Sequence, residues 1–314
     1  MESKDTTSKV EEQGLRNLKS DYLIQIIFEY TTERKSLETI RYNKSIQKRI
    51  NININHYKAY SETKTSIELD IIPMKGKYGQ FININEEDKK YFHLYFNDNK
   101  KNEIENTSLD TDDTDDDVSK ISIIIDYQIK SFSRLFYDCW SDESIEFKKF
   151  YRNNVTDMSG MFYGCSSLKE LKLSNFNTNN VTNMSDMFNG CSSLERLNLN
   201  NFNTNNVTNM GGIFIECSSL KELNQNFNTY NVTNMSDMFN GCSSLERLNL
   251  NNFNTNNVTN MGWMFAGCSS LKELNLNNFN TNNVTDMSLM FYGCLDVLKL
   301  KIKGQFKNFK EEAF

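Results

Sequence analysis

The sequence predicts an α/β chain: a right-handed β/α solenoid of about seven coils, preceded by a small α+β N-terminal domain. Three observations carry that prediction. A motif recurs about every 26 residues, the cysteines keep the same phase, and each repeat combines a strand-like and a helix-like hydrophobic period.

The motif Val-Thr-x-Met-x-x-Met-Phe-x-x-Cys-Ser-Ser-Leu-x-x-Leu-x-Leu-x-x-Phe-x-Thr recurs with small departures, its valine at Val155, Val181, Val207, Val232, Val258 and Val284. The steps are 26, 26, 25, 26 and 26, the short one arising near Asn224–Phe227. Segments 180–204 and 231–255 are identical, as duplication of a two-repeat unit would leave them. Six cysteines (Cys165, Cys191, Cys217, Cys242, Cys268, Cys294) follow the same steps, and the seventh, Cys139, lies 26 residues before Cys165. Shifting the motif back places Ile129, Phe132, Leu135 and Phe136 on its apolar positions and Ile145, Phe147 and Phe150 on the strand. Residues 129–154 therefore read as a degenerate opening coil. At the far end Val297, Leu300 and Ile302 keep the strand phase among Lys299, Lys301 and Lys303, so 284–310 reads as the closing coil of a solenoid over 129–310.

Within a repeat, Leu271–Leu276 alternates apolar and polar residues, which predicts a strand with one buried face. Met184, Met187, Phe188 and Cys191 stand at i, i+3, i+4 and i+7, which predicts two short helical turns. With a helix there, neighbouring coils would lie about 10 Å apart, beyond disulfide reach. The cysteines then read as a buried thiol ladder rather than a zinc site, which needs closely spaced ligand pairs.

Two columns of charge support in-register stacking. Lys169, Glu195, Lys221, Glu246 and Lys272 alternate in sign, as do Glu170, Arg196, Glu222, Arg247 and Glu273. Asn198, Asn224, Asn249 and Asn275 form a candidate amide ladder on the same sheet face, open to structural or binding use. The Asn-Val-Thr triplets match a glycosylation sequon, yet their place in the repeat suits turn hydrogen bonds. Within the helix-like segment two positions vary while their neighbours do not: Gly160/Tyr163, Asp186/Asn189, Gly212/Ile215, Asp237/Asn240, Trp263/Ala266 and Leu289/Tyr292. On a helix they would share one outward face, so Tyr163, Ile215, Trp263, Leu289 and Tyr292 are candidate partner-binding residues.

Before the repeats, residues 1–14 read as a disordered tail and 15–128 as the α+β domain. Two amphipathic helices are expected within 15–50 and strands at Ser66–Ile72, Tyr91–Phe96 and Lys120–Tyr127. An acidic loop is expected over 97–117. It fails as a calcium loop, because Asp115 and Ile121 fall where glycine and glutamate are required.

A net charge of -6 disfavours a nucleic-acid partner. The opening residues carry no apolar stretch and no run is long enough for a membrane span, so a cytoplasmic protein is expected. Only His56 and His93 are present, with no phosphate loop or nucleophile motif, so no enzyme, cofactor or metal is expected.

The string Asn-Val-Thr-Asn-Met-Ser-Asp-Met-Phe-Asn-Gly-Cys-Ser-Ser-Leu-Glu-Arg-Leu-Asn-Leu resembles the BspA-like family of leucine-rich-repeat surface proteins, over about 129–310. The resemblance implies a solenoid of leucine-rich-repeat type and a role in protein binding or cell-surface adhesion. The family's signal peptide, lipobox and anchor are not matched. Residues 21–40 resemble an F-box without its Leu-Pro opening, which would imply a ubiquitin-ligase substrate adaptor. The expected function is a non-enzymatic protein-binding repeat module, with the surface protein and the adaptor as alternatives. Either a monomer or end-to-end self-association is compatible with the repeats.

Overall fold

A computed structural model of the chain describes residues 65–110, 118–306 and 308–314, with Lys48 by itself. The expected helices of 15–50, the F-box-like stretch and the acidic run 111–117 lie outside the described residues. The chain divides between Lys64 and Thr65, and the second unit, Thr65–Phe314, holds all the repeats. This unit is mixed α/β, mostly strands, and its sheets are open.

The three strands expected before the repeats are present as β1 (Ile67–Pro73), β3 (Phe92–Phe96) and β5 (Ile121–Ile125), each alternating with a buried apolar face. Two short strands, β2 (Gly79–Gln80) and β4 (Ser108–Leu109), pair with each other. The main sheet has the order β3-β5-β1-β6-β7, where β6 is Asp142–Lys149 and β7 is Glu170–Lys172. Strand β6 is antiparallel to β1 on one side and parallel to β7 on the other. It is thus the last strand of the leading sheet and the first strand of the repeats. The boundary expected at 128 is crossed by this sheet, because an edge at β1 would leave a row of backbone donors and acceptors unpaired.

Further along, β8 (Arg196–Leu199) pairs in parallel with β9 (Glu222–Gln225), and β10 (Arg247–Leu248) with β11 (Glu273–Leu274). On another side of each repeat, parallel bridges link Ser131, Asp157, Asn183, Asn209, Asn234, Asn260 and Asp286 in succession. Equivalent residues therefore lie beside one another from repeat to repeat. Phe136, Phe162, Phe188, Phe214, Phe239, Phe265 and Phe291 form one buried stack with ring centroids 5.4 to 5.8 Å apart.

The segment expected to be helical is a run of turns. In the repeat beginning at Val181, Met187, Asn189 and Cys191 donate N–H bonds three residues back, at 3.1 to 3.4 Å. The alternate donors leave the repeat: Asp186 N–H reaches Gly211 O at 3.0 Å, Phe188 reaches Ile213 O at 2.9 Å, and Gly190 reaches Ile215 O at 2.8 Å. A helix spends its N–H groups internally, whereas here Asp186 (φ 56°) and Gly190 (φ 75°) turn left-handed and every second N–H points sideways. Without helices the repeats approach to strand spacing, about 4.8 Å, not the 10 Å expected. The seven thiols are nevertheless free and buried. From Cys165 onward each donates to a phenylalanine carbonyl of the preceding repeat, as Cys191 Sγ does to Phe162 O at 3.2 Å.

The closing coil also differs from expectation. Asp296–Gln305 is a helix, α1, not a strand; Leu298 and Ile302 are buried one turn apart, while Val297 and Leu300 are exposed. Asp296 in its first turn holds Lys299 at 2.8 Å. Beyond it the chain turns back over the last repeat. Leu289 N–H donates to Glu312 O at 2.6 Å, Phe291 N–H to Ala313 O at 2.8 Å, and Phe314 stacks on Phe291 at 5.3 Å. Residues 312–314 thus take the place a further repeat would fill.

The one-residue deletion is absorbed by a side chain. In the repeats around it, the phenylalanine N–H after the strand donates to a leucine carbonyl three residues back, as Phe202 does to Leu199 O at 3.0 Å. In the short repeat Phe227 N–H donates instead to Gln225 Oε1 at 2.8 Å. Gln225 stands in register with Leu199, and its amide carbonyl replaces the missing backbone acceptor.

Two charged residues interrupt the core of the first repeat. Asp142 stands where later repeats have Leu168, Leu194 and Leu220, and Arg152 where they have Thr178 and Thr204. Both are fully buried. Arg152 donates from Nη1 to Asp126 O and lies 5.8 Å from the Phe132 ring; burial lowers its pKa to about 10. Both Asp142 oxygens lack a hydrogen-bond partner among the described residues, and burial pushes its carboxyl well above the usual range.

Glu216 occupies a left-handed glycine position of the repeat (φ 54°), and Gly267 (φ 70°) has space for a Cβ only 3.3 Å from Gly241. Chemical denaturation should show Glu216→Gly stabilised by about 1 kcal/mol and Gly267→Ala destabilised by about 1 to 2 kcal/mol. Asp142→Leu should stabilise by roughly 2 to 4 kcal/mol near neutral pH. The folded-state pKa is raised, so as pH climbs past the unfolded value of about 3.9 the unfolded state sheds a proton that the buried carboxyl keeps. Stability should fall with rising pH through that window in the parent. A series of urea melts in which Asp142→Leu kept the parent's slope would refute the assignment.

Candidate functional site

The run of turns places side chains on an outer ridge with two columns. The first column is Arg134, Gly160, Asp186, Gly212, Asp237, Trp263 and Leu289, all left-handed, with φ between 53° and 65°. Glycine and aspartate suit that conformation, but for arginine, tryptophan and leucine it costs on the order of 1 kcal/mol or more each. The second column, three residues on, is Tyr137, Tyr163, Asn189, Ile215, Asn240, Ala266 and Tyr292.

The five predicted ridge residues do not form one continuous apolar strip. Trp263 and Tyr292 are exposed, 38% and 57%, and meet with ring centroids 5.9 Å apart. Leu289 is half-buried in the same end of the ridge. Tyr163 lies at the opposite end, half-buried and stacked on Tyr137 at 4.7 Å, with Arg134 over the Tyr137 ring at 5.3 Å. Ile215 is half-buried between the two ends. The intervening positions are polar and satisfied locally: Asn189 Nδ2 donates to Asp186 Oδ1 at 3.1 Å and Asn240 Nδ2 to Asp237 Oδ1 at 2.9 Å. The ridge thus has two aromatic ends. Arg134 and Tyr137 lie outside the expected set, although each stands 26 residues before a member of a variable pair, Gly160 and Tyr163.

On the sheet face Asn198 and Asn224 are exposed in β8 and β9, while Asn249 and Asn275 are exposed just past the ends of β10 and β11. Asn198, Asn249 and Asn275 turn back to accept from the N–H two residues on, at 3.0 to 3.1 Å, while Asn224 donates to Glu222 at 3.0 Å. The alternating charges pair across repeats: Lys169 with Glu143 at 2.8 Å, Lys221 with Glu195 at 3.1 Å, Lys272 with Glu246 at 2.7 Å, and Arg196 with Glu222 at 3.7 Å. A concavity of about 950 Å³ over this face is lined by Arg247, Asn249, Glu273 and Asn275 and bounded by Lys301 and Phe306. The Asn-Val-Thr asparagines bridge repeats, each donating Nδ2 to a carbonyl of the previous one, as Asn206 does to Asn179 O at 2.7 Å.

Burial pushes the thiols up, Cys217 to about 12 and Cys294 to about 11, which suits packing rather than nucleophilic attack. His93 is held on both nitrogens, Nδ1 by Glu103 at 2.8 Å and Nε2 facing Asp126 at 3.5 Å. An imidazole so engaged joins two carboxylates and leaves no free nitrogen for a base. Among the described residues no cluster of three or more metal-ligating side chains is found. No helix among them is long and apolar enough to cross a membrane.

Comparison with protein families matches residues 130–229 and 221–308 to a family described as "Mycoplasma protein of unknown function, DUF285". The chain belongs to that family. The match spans the repeats and is consistent with a BspA-like repeat protein. The F-box-like resemblance gains no support from it. No curated protein and no solved structure matches the chain. DUF285 repeats here thus contribute the ridge, the sheet face and the core that positions both.

Burial lowers the His93 pKa, but the hydrogen bonds and charges of Glu103 and Asp126 outweigh it and leave the value above 6.5. Its protonated form therefore stabilises the fold below the unfolded pKa, and that contribution is lost as pH rises through the folded one. An NMR titration should place His93 above the value of a free imidazole, and Glu103→Gln should bring it down. An unchanged titration in Glu103→Gln would rule out the pair.

Proposed function

We propose that the chain is a non-enzymatic protein-binding module, a right-handed solenoid of leucine-rich-repeat type whose outer ridge makes the contact. One observation carries the reading: Trp263 and Tyr292 stand exposed and adjacent on a rigid run of turns. Exposed aromatics on a rigid base bury large area at little entropic cost, which is the profile of an interface anchor. The strained backbone at Trp263 and Leu289 adds support, since folding alone favours glycine or aspartate there. The sheet face, with its charges largely paired, offers a partner less. Membership of the DUF285 family favours a second reading, in which the same module is displayed on a cell surface as in BspA-type proteins.

The test uses the full chain as bait in native lysate, beside a variant carrying Trp263→Ser and Tyr292→Asn. A specific partner held by the parent should bind the variant at least about 30-fold more weakly, the effect of losing a hot spot. A partner retained equally by both baits would move the contact away from the ridge. With no partner on either bait, the protein-binding reading fails.

A further inference from the structure

The two ends of the ridge carry complementary chemistry. At one end Arg134 is exposed, its guanidinium over Tyr137, which stacks on Tyr163. At the other, Trp263 and Tyr292 are exposed, and Asp237 stands one repeat before Trp263 in the column, its Oδ1 accepting from Asn240 and its negative charge retained. A planar cation stacks on an indole face and pairs with a carboxylate beside it, so this end is built to receive a guanidinium.

The column itself indicates where that guanidinium comes from. Of its seven left-handed residues, only Arg134, Trp263 and Leu289 are neither glycine nor aspartate. They occupy the first, sixth and seventh repeats, and the four repeats between them use Gly160, Asp186, Gly212 and Asp237. Within this column the strained residues are thus the cation at one end and Trp263 with Leu289 at the other. Five repeats separate Arg134 from Trp263, about 24 Å at strand spacing, so one copy cannot bring the two together.

We propose that the protein self-associates head to tail through this ridge, with Arg134 of one copy seated on Trp263, Tyr292 and Asp237 of the next. The inference rests on reading the ridge as a contact surface and names a second copy as its occupant. Stacking through the terminal repeats is closed off, because the first continues into the β1–β5 sheet and the last is covered by residues 312–314. The contact is lateral and heterologous, so it propagates beyond a dimer as concentration rises.

Glycine variants give a test that misfolding cannot imitate. Arg134→Gly and Trp263→Gly each relieve a left-handed residue, so both should melt at or above the parent temperature. By sedimentation of the full chain, the parent should grow past dimer with concentration while each variant stays monomeric. An equimolar mixture of the two should form a dimer and stop there, since one retains only the aromatic end and the other only the arginine. A parent that stays monomeric, a variant that still associates by itself, or a mixture that stays monomeric overturns the proposal. If a foreign partner is captured in lysate and Arg134→Gly captures it equally, while the parent sediments as a monomer, the ridge binds another protein and only the self-association fails.

Discussion

Everything else in the repeat unit depends on one use of the backbone: alternate N–H groups of the turn segment are spent on the neighbouring repeat rather than on their own. That choice sets the repeat spacing near that of paired strands. It also requires left-handed residues at intervals, which the sequence supplies as Asp186, Gly190, Gly212 and Gly241. With spacing so short, core side chains pack directly on their counterparts in the next repeat. Gly190 illustrates the limit, since a Cβ added there would lie 3.3 Å from the Gly164 backbone.

Stacking like upon like then selects residues by a second rule, that a side chain must tolerate its own copy as neighbour. Phenylalanine does, by parallel ring contact. Threonine does, because a hydroxyl both donates and accepts: Thr178 Oγ1 donates to Asn203 O at 3.0 Å and accepts from Asn203 N at 2.8 Å. Asparagine and cysteine do, by donating to a carbonyl one repeat back. A charge does not, since its copy repels it. This explains why the charged columns alternate in sign while the buried neutral columns largely repeat. The alternation also bears on register. Segments 180–204 and 231–255 are identical, so internal contacts alone cannot tell them apart. The distinct ends supply the missing reference: strand β6 fused to β1 at the start, and Phe314 stacked on Phe291 at the finish.

Much of this was legible in the sequence, and the failures have physical causes. The 26-residue phase, the opening repeat at Phe132 and Phe136, the three leading strands and the facing charges all rest on patterns that burial or pairing imposes directly. The helix at Met184–Cys191 was misread because its i, i+3, i+4, i+7 spacing also fits successive turns. The left-handed Asp186 that separates the two is invisible to hydrophobic periodicity. The wrong spacing between cysteines followed from the same error. Val297, Leu300 and Ile302 fit a strand phase, yet Leu298 and Ile302 fit a helix. Covering the exposed end of the array decided between them. The candidate ridge residues stand out in sequence as variable positions. Their division into two ends does not, because Asp186 and Asp237 read in sequence as mere absences of an aromatic.

In so regular a chain, information about function resides in the departures, and the departures are of two kinds. Asp142 and Arg152 lie inside the first repeat, where the leading sheet joins the array, and fully buried side chains cannot reach a partner. They bear on the stability of that junction. Arg134, Trp263 and Leu289 depart on the surface, and in the opposite sense. Each keeps a large side chain where a glycine would relieve the backbone. Strain kept at such positions is what supports reading the ridge as a contact surface. The three stand at the two ends of one ridge, the surface on which the proposed contact rests.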